Sequence, residues 1–155
     1  METITALSES PLAILGSIYS NLPFNRFLGL KIACLRPDQA GFTFLMKDEL
    51  VGNRVYGILH GGVIATVLDT TGGMIATASI LDKMKEFSPD KIADKIAGIG
   101  TIDMRVDYLR PGKGSRFFSM GTIMRTGNKV AVTRMELKNQ DGILIAVGTG
   151  TYLVG

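Results

Sequence analysis

Tryptophan is absent, and cysteine and histidine occur once each, as Cys34 and His60. A single cysteine excludes an internal disulfide and every C-x-x-C redox or zinc motif. One cysteine and one histidine also leave too few ligands for a transition-metal site, so no metal is expected. No uninterrupted apolar run reaches the roughly 18 residues of a membrane-spanning helix, so no membrane partner is expected. No basic residue precedes Arg26, while Glu2 and Glu9 do, which makes a poor secretory signal. Together these absences predict a reducing, cytoplasmic setting. Strong charge of either sign is also lacking. The net charge is +3, with 9 Lys/Arg against 10 Asp/Glu in residues 1–97 and 8 against 4 in residues 98–155. That imbalance is too mild, and too dispersed, for nucleic-acid binding, but it suits one anionic small molecule.

What remains is ordinary for a globular protein. The 155 residues are 46% hydrophobic and 20% charged, which predicts a single domain over 1–155. A chain of this size can bury about 68–70% of its unfolded surface. There is no internal repeat.

The most informative stretch is NRVYGILHGGVIATVLDTTGGMIATASIL, residues 53–81. It reads as a loop feeding a long helix. At helical spacing Gly62, Ala65, Thr66, Asp69, Gly72, Gly73 and Ala76 share one face, while Val63, Ile64, Val67, Leu68, Met74 and Ile75 share the other. Glycine inside a helix costs roughly 0.5–1 kcal/mol relative to alanine. Gly72 and Gly73 therefore imply close approach of another backbone, a second subunit or a ligand. Asp69 is the only carboxylate in this run, and a carboxylate against apolar surface must be paired or used. An ion pair with Arg105 is one reading of it, and a catalytic role another.

Around this stretch the chain reads as α+β. Ser10-Pro11 opens an N-terminal helix within residues 1–23, ended by Pro23. Strands are expected near 28–36 and 40–46, where Phe42, Phe44 and Met46 alternate with smaller residues. Residues 82–97 form a helical insertion starting at Ser88-Pro89-Asp90. Strands follow over 99–109, 115–126, 129–138 and 143–154. Gly127-Asn128 is a two-residue hairpin signal and Asn139-Gln140-Asp141-Gly142 a turn. An antiparallel sheet built from these strands needs one face covered, and the apolar face of the central helix suits it.

Gly57-x-x-His60-Gly61-Gly62, followed after six residues by Asp69, resembles the motif of the hotdog-fold acyl-CoA thioesterases, nearest to the branch that holds the phenylacetate-pathway enzymes. Arg105-Val106-Asp107-Tyr108-Leu109-Arg110-Pro111 and Gly127-Asn128-Lys129-Val130 extend the likeness, which covers about residues 24–154. The resemblance implies a curved antiparallel sheet wrapped around the central helix. It also implies a homodimer or homotetramer with the active site at a subunit interface, and hydrolysis of a medium- to long-chain or aryl acyl-CoA. No cofactor is implied, since coenzyme A is part of the substrate.

By the same resemblance Asp69 matches the catalytic carboxylate, as general base or nucleophile. Gly61 matches the position whose amide stabilises the oxyanion, and a helix N-terminus offers free N–H groups for that purpose. His60 matches a residue that shapes the loop, and Thr101 a hydroxyl that positions the acid or the water. The family's asparagine falls at Arg54. Asn53 stands one residue earlier and fills that role if the loop bulges. Arg110, Lys113, Arg125 and Lys129 are candidates for the phosphates of coenzyme A, and equally for solvated surface charge. Phe42, Phe44, Met46, Met74, Met120 and Met124 read as core before acyl pocket. Two other functions compete with hydrolysis. A hotdog dehydratase or hydratase needs a differently placed carboxylate, and none lies within ten residues before His60. A non-catalytic acyl-CoA sensor or carrier is the second.

Overall fold

The computed structural model describes residues 10–155. Residues 1–9 of the expected N-terminal helical segment, Glu2 and Glu9 included, lie outside the described residues. In chain order the elements are α1 (Pro11–Asn21), α2 (Pro23–Leu28), β1 (Lys31–Leu35), β2 (Gln39–Leu45), a short 3-10 turn, β3 (Val51–Asn53), β4 (Ile58–Leu59), α3 (Gly61–Leu81), α4 (Pro89–Ala97), β5 (Gly100–Tyr108), β6 (Arg116–Thr126), β7 (Val130–Asn139) and β8 (Leu144–Leu153).

Six strands form one antiparallel sheet in the order β1-β2-β6-β7-β8-β5. Helix α3 packs across it, touching β2, β5, β6, β7 and β8. This is the α+β hotdog arrangement implied above. Ile64, Val67, Leu68, Met74 and Ile75 of α3 are buried against Phe42 and Phe44 of β2, Phe117 of β6 and Met135 of β7. Phe44 stacks on Phe117 at 5.2 Å. Each such side chain contributes roughly 1.5–3 kcal/mol on leaving water. By length and composition α3 could cross a membrane, but it is the mostly buried centre of this core.

The capping chemistry acts where it was read. Ser10 Oγ accepts from the Ala13 amide at the start of α1, and Ser88 Oγ from the Lys91 amide at the start of α4. Gly142 takes the left-handed φ of 74° in its turn, where Asn139 Oδ1 accepts from the Asp141 and Ile143 amides. The 82–97 insertion packs on the core through buried Ile92 and half-buried Met84 and Ile96.

The expected start of the sheet needs correction. Pro23 does not simply end the first helix; it starts α2, because its fixed φ suits a first helical position. The buried Asn25 side chain donates to the Tyr19 carbonyl and staples the two helices together. Gly29 then closes α2 at φ 74°, so β1 begins at Lys31 rather than near 28. The chain ahead of α3 also holds structure, for β3 and β4 pair as a small hairpin. On β5, Ile102 is 57% exposed because the bulge between Thr101 and Asp103 takes it out of the alternation, whereas Tyr108, 54% exposed, pairs with buried Ala146 and reaches Gly61 on the helix side.

Candidate functional site

Helix α3 carries both residues of greatest chemical interest, and its sequence sets their surroundings. His60 is the N-cap. Its Nδ1 accepts from the Gly62 amide at 2.8 Å, and its own amide donates to the Leu50 carbonyl at 2.8 Å. A ring nitrogen that accepts carries no proton, so in the neutral ring the N–H sits on Nε2. His60 thus ties the β3–β4 hairpin to the helix start. Gly61 follows as the first helical residue. Its amide has no hydrogen-bond partner among the described residues, and its carbonyl accepts from the Tyr108 hydroxyl at 3.0 Å. A cleft of about 370 Å³ opens beside it, walled by Ile58, Ile64, Tyr108, Leu109 and Arg110. A bare amide at the positive end of a 21-residue helix is a donor suited to developing negative charge.

Asp69 lies two turns further on, half-buried. Its Oδ1 accepts from Thr101 Oγ1 at 2.9 Å and from the Tyr152 hydroxyl at 3.1 Å. The same hydroxyl lies 3.1 Å from the Asp69 carbonyl. A second cleft, of about 330 Å³, holds Asp69, Thr101 and Tyr152 together with Leu22, Pro23, Phe24 and Ile99. Burial first, and then the Asp69 charge, push the Tyr152 phenol well above its ordinary pKa, so it stays protonated as a donor. Burial likewise raises Tyr19.

The two glycines of α3 find their reason in this same corner. A Cβ on Gly72 would lie 2.1 Å from the Tyr152 hydroxyl, and one on Gly73 3.4 Å from that of Tyr19. The close neighbours are tyrosines of the same chain. From Thr71 to Ser79 every residue of α3 is buried, so the small face seen in the sequence divides into an open first half and an enclosed second half. Arg105 pairs with Asp107 at 3.0 Å and not with Asp69.

Thr101 is therefore brought to Asp69, while Gly61 and Asn53 are not. Eight residues of helix separate Gly61 from Asp69, a rise of about 12 Å. Asn53 is exposed on β3, where its Oδ1 accepts from the Val55 and Tyr56 amides. The β3–β4 ladder does bulge, between Val51 and Asn53, and a Cβ on the intervening Gly52 would strike the His60 backbone at 2.5 Å. The four cations form no single cluster. Arg110 donates to the Leu144 carbonyl and walls the cleft at Gly61, and the nearby Lys113 carbonyl accepts from Asn139. Arg125 and Lys129 lie at the other end of the β6–β7 hairpin, roughly 30 Å away along the strands. Tyr152 was missed by sequence reasoning. Its contact spans 83 residues, and its local signs were Gly72 and Gly150, which make room for it.

Comparisons with known proteins establish the family and the fold. The profile described as "Thioesterase superfamily" matches residues 56–146. The medium/long-chain acyl-CoA thioesterase YigI of Salmonella typhimurium is 43% identical, with 96% of each chain covered. A crystal structure from Shewanella oneidensis, related to the thioesterase superfamily, is 45% identical and superposes with a TM-score of 0.88 over 93% of this chain and 95% of that one. A thioesterase family protein from Silicibacter pomeroyi, 22% identical, shares the fold with a TM-score of 0.74 over 94% of this chain and 99% of that one. On the family profile and these near-complete likenesses, the chain belongs to the thioesterase superfamily.

Proposed function

We propose that this protein hydrolyses medium- to long-chain acyl-CoA to the free acid and coenzyme A, at a site shared by two copies of the chain. The observation that carries the reading is the unpartnered Gly61 amide on the same helix as a carboxylate held by hydroxyls. The name of the YigI relative, which matches over 96% of each chain, supports the same substrate class.

The 12 Å gap supports the two-copy arrangement. One copy's Gly61 and Asp69 are too far apart to act on one carbonyl carbon. Strand β5 supplies the remedy. Among the described residues it is hydrogen-bonded only to β8 and leaves an edge open. Tyr108 at one end of β5 touches Gly61, and Thr101 at the other touches Asp69. Antiparallel pairing of two β5 edges, centred on Arg105 because the bulge after Thr101 takes up one residue, sets Tyr108 of one copy opposite Thr101 of the other. Gly61 of one copy then approaches Asp69 of the other, twice over, as a two-fold axis requires.

In this site the Gly61 amide holds the carbonyl oxygen as it gains charge. Asp69 either takes the proton of a water that attacks the carbonyl carbon, or attacks the carbon itself to form an anhydride that water then opens. In both routes the C–S bond breaks, and coenzyme A leaves as the thiol. Asn53 keeps its Nδ2 as a donor for that water. The cleft formed by Leu22, Pro23, Phe24 and Ile99 offers the acyl chain apolar walls next to Asp69. Arg110 and Lys113, near the Gly61 end, suit the phosphates of coenzyme A.

Thiol release from acetyl- through palmitoyl-CoA, with phenylacetyl- and benzoyl-CoA included, tests the reading. Wild type is expected to favour chains of eight carbons or more, and Asp69→Asn to lose at least about a thousandfold in kcat while keeping its fold. Unchanged turnover in that variant removes Asp69 from the chemistry. Acyl-CoA binding by calorimetry without any thiol release would make the protein a sensor or carrier instead.

A further inference from the structure

Tyr152 is 1% exposed and sits on the last strand, yet its hydroxyl ends on Asp69. The register explains how. Thr101 of β5 and Tyr152 of β8 are direct cross-strand partners, so their side chains leave the sheet on the same face, toward α3. The bulge that follows Thr101 interrupts the alternation at that point. Space for the tyrosine is cleared on two sides. A Cβ on Gly72 would meet its hydroxyl at 2.1 Å, and a Cβ on Gly150 would meet its ring and hydroxyl at 2.7 Å.

Both hydroxyls reach the same carboxylate oxygen. Thr101 Oγ1 lies 2.9 Å and the Tyr152 hydroxyl 3.1 Å from Asp69 Oδ1. Asp69 Oδ2 has no hydrogen-bond partner among the described residues. The tyrosine also lies 3.1 Å from the Asp69 main-chain carbonyl, so its one hydrogen is shared between the side chain and the backbone of the residue it holds. A carboxylate gripped by two donors at one oxygen has its plane fixed and only the other oxygen free to act.

We infer that Tyr152 is a positioning residue which, with Thr101, pins Asp69 by Oδ1 and leaves Oδ2 as the oxygen that performs the chemistry. This rests on the reading of Asp69 as the catalytic carboxylate. Tyr152 lines the cleft that holds Asp69, but its hydroxyl ends on the acid and acts through it.

Tyr152→Phe removes the hydroxyl and keeps the ring. Because misplacement of a reacting group by an ångström can cost on the order of a hundredfold, kcat for the preferred acyl-CoA is expected to fall about 10- to 100-fold, with KM within twofold of wild type. A tyrosine that only packs the core would lower Tm and leave kcat unchanged, and a kcat within twofold of wild type overturns the inference. Thr101→Val, lacking the other donor to Oδ1, is expected to show the same split between kcat and KM. Should Tyr152→Phe fail to fold, 3-fluorotyrosine placed at position 152 keeps the shape and strengthens the donor. The stronger bond draws charge from the carboxylate, so kcat is expected to fall at least twofold at constant KM, and an unchanged kcat again overturns the inference. Loss of turnover in Asp69→Asn without loss in either Tyr152 variant defeats the positioning role alone. Full turnover in Asp69→Asn defeats the functional reading beneath it.

Discussion

The two halves of α3 are built to opposite rules. The first, around Gly61 and Asp69, is partly open. It presents a bare amide at one end and a carboxylate held by hydroxyls at the other. The second, from Thr71 to Ser79, is buried on every side and packs its glycines against tyrosines of the same chain. Glycine occurs in both halves for different reasons. At Gly61 an added Cβ would meet the Tyr108 ring at 3.4 Å, an ordinary contact, whereas at Gly72 it would overlap the Tyr152 hydroxyl. Small residues at the open end keep a surface accessible; at the closed end they admit a large neighbour.

This contrast can be broken most decisively with mixed dimers. Asp69→Asn and Gly61→Val chains, each expected to be inactive alone, can be co-expressed with different tags and purified through both. If each site combines Gly61 of one copy with Asp69 of the other, the mixed dimer keeps one intact site and recovers up to about half the wild-type activity. No recovery would mean that both residues act within one chain or not at all.

A smaller effect sharpens the difference between the glycines. Gly72→Ala is expected to cost about 1–3 kcal/mol by overpacking, read as a lowered Tm. Gly61→Ala is expected to leave Tm within a degree or two. Equal losses at both sites would erase the distinction. The smallest expected effect concerns charge. Arg110→Ala should raise KM for acyl-CoA several-fold and leave KM nearly unchanged for a short acyl thioester without the nucleotide, while Arg125→Ala changes neither. A larger KM effect at Arg125 would move the phosphate site to the far end of the hairpin.

Local chemistry was legible in the sequence. Ser10 and Ser88 cap helices because a hydroxyl satisfies free amides within three residues, and Phe42 and Phe44 alternate into the core because a strand has period two. The start of α3 and the place of Asp69 on it followed from the same short-range rules. The rest depended on distance along the chain. No local pattern sets β6 beside β2, or β5 at the outer edge beyond β8. The Tyr152–Asp69 contact joins residues 83 apart. Asn53 shows the limit from the other side: the bulge that its offset required is present, but only the fold reveals that its oxygen is spent on its own turn.

Tyr152, Gly72 and Gly150 also constrain the order in which this corner can change. With the tyrosine in place, a methyl group at either glycine forces a costly shift, because both added carbons would fall within 2.7 Å of it. Once the tyrosine is replaced by a smaller residue, both glycines become free to gain side chains, and alanine at position 72 would then favour the helix. After that step the return is closed, since a tyrosine could no longer fit. A single replacement at position 152 thus acts as a ratchet: relatives of this chain that hold a small residue there are expected to hold larger ones at 72 and 150, and the three positions to differ together.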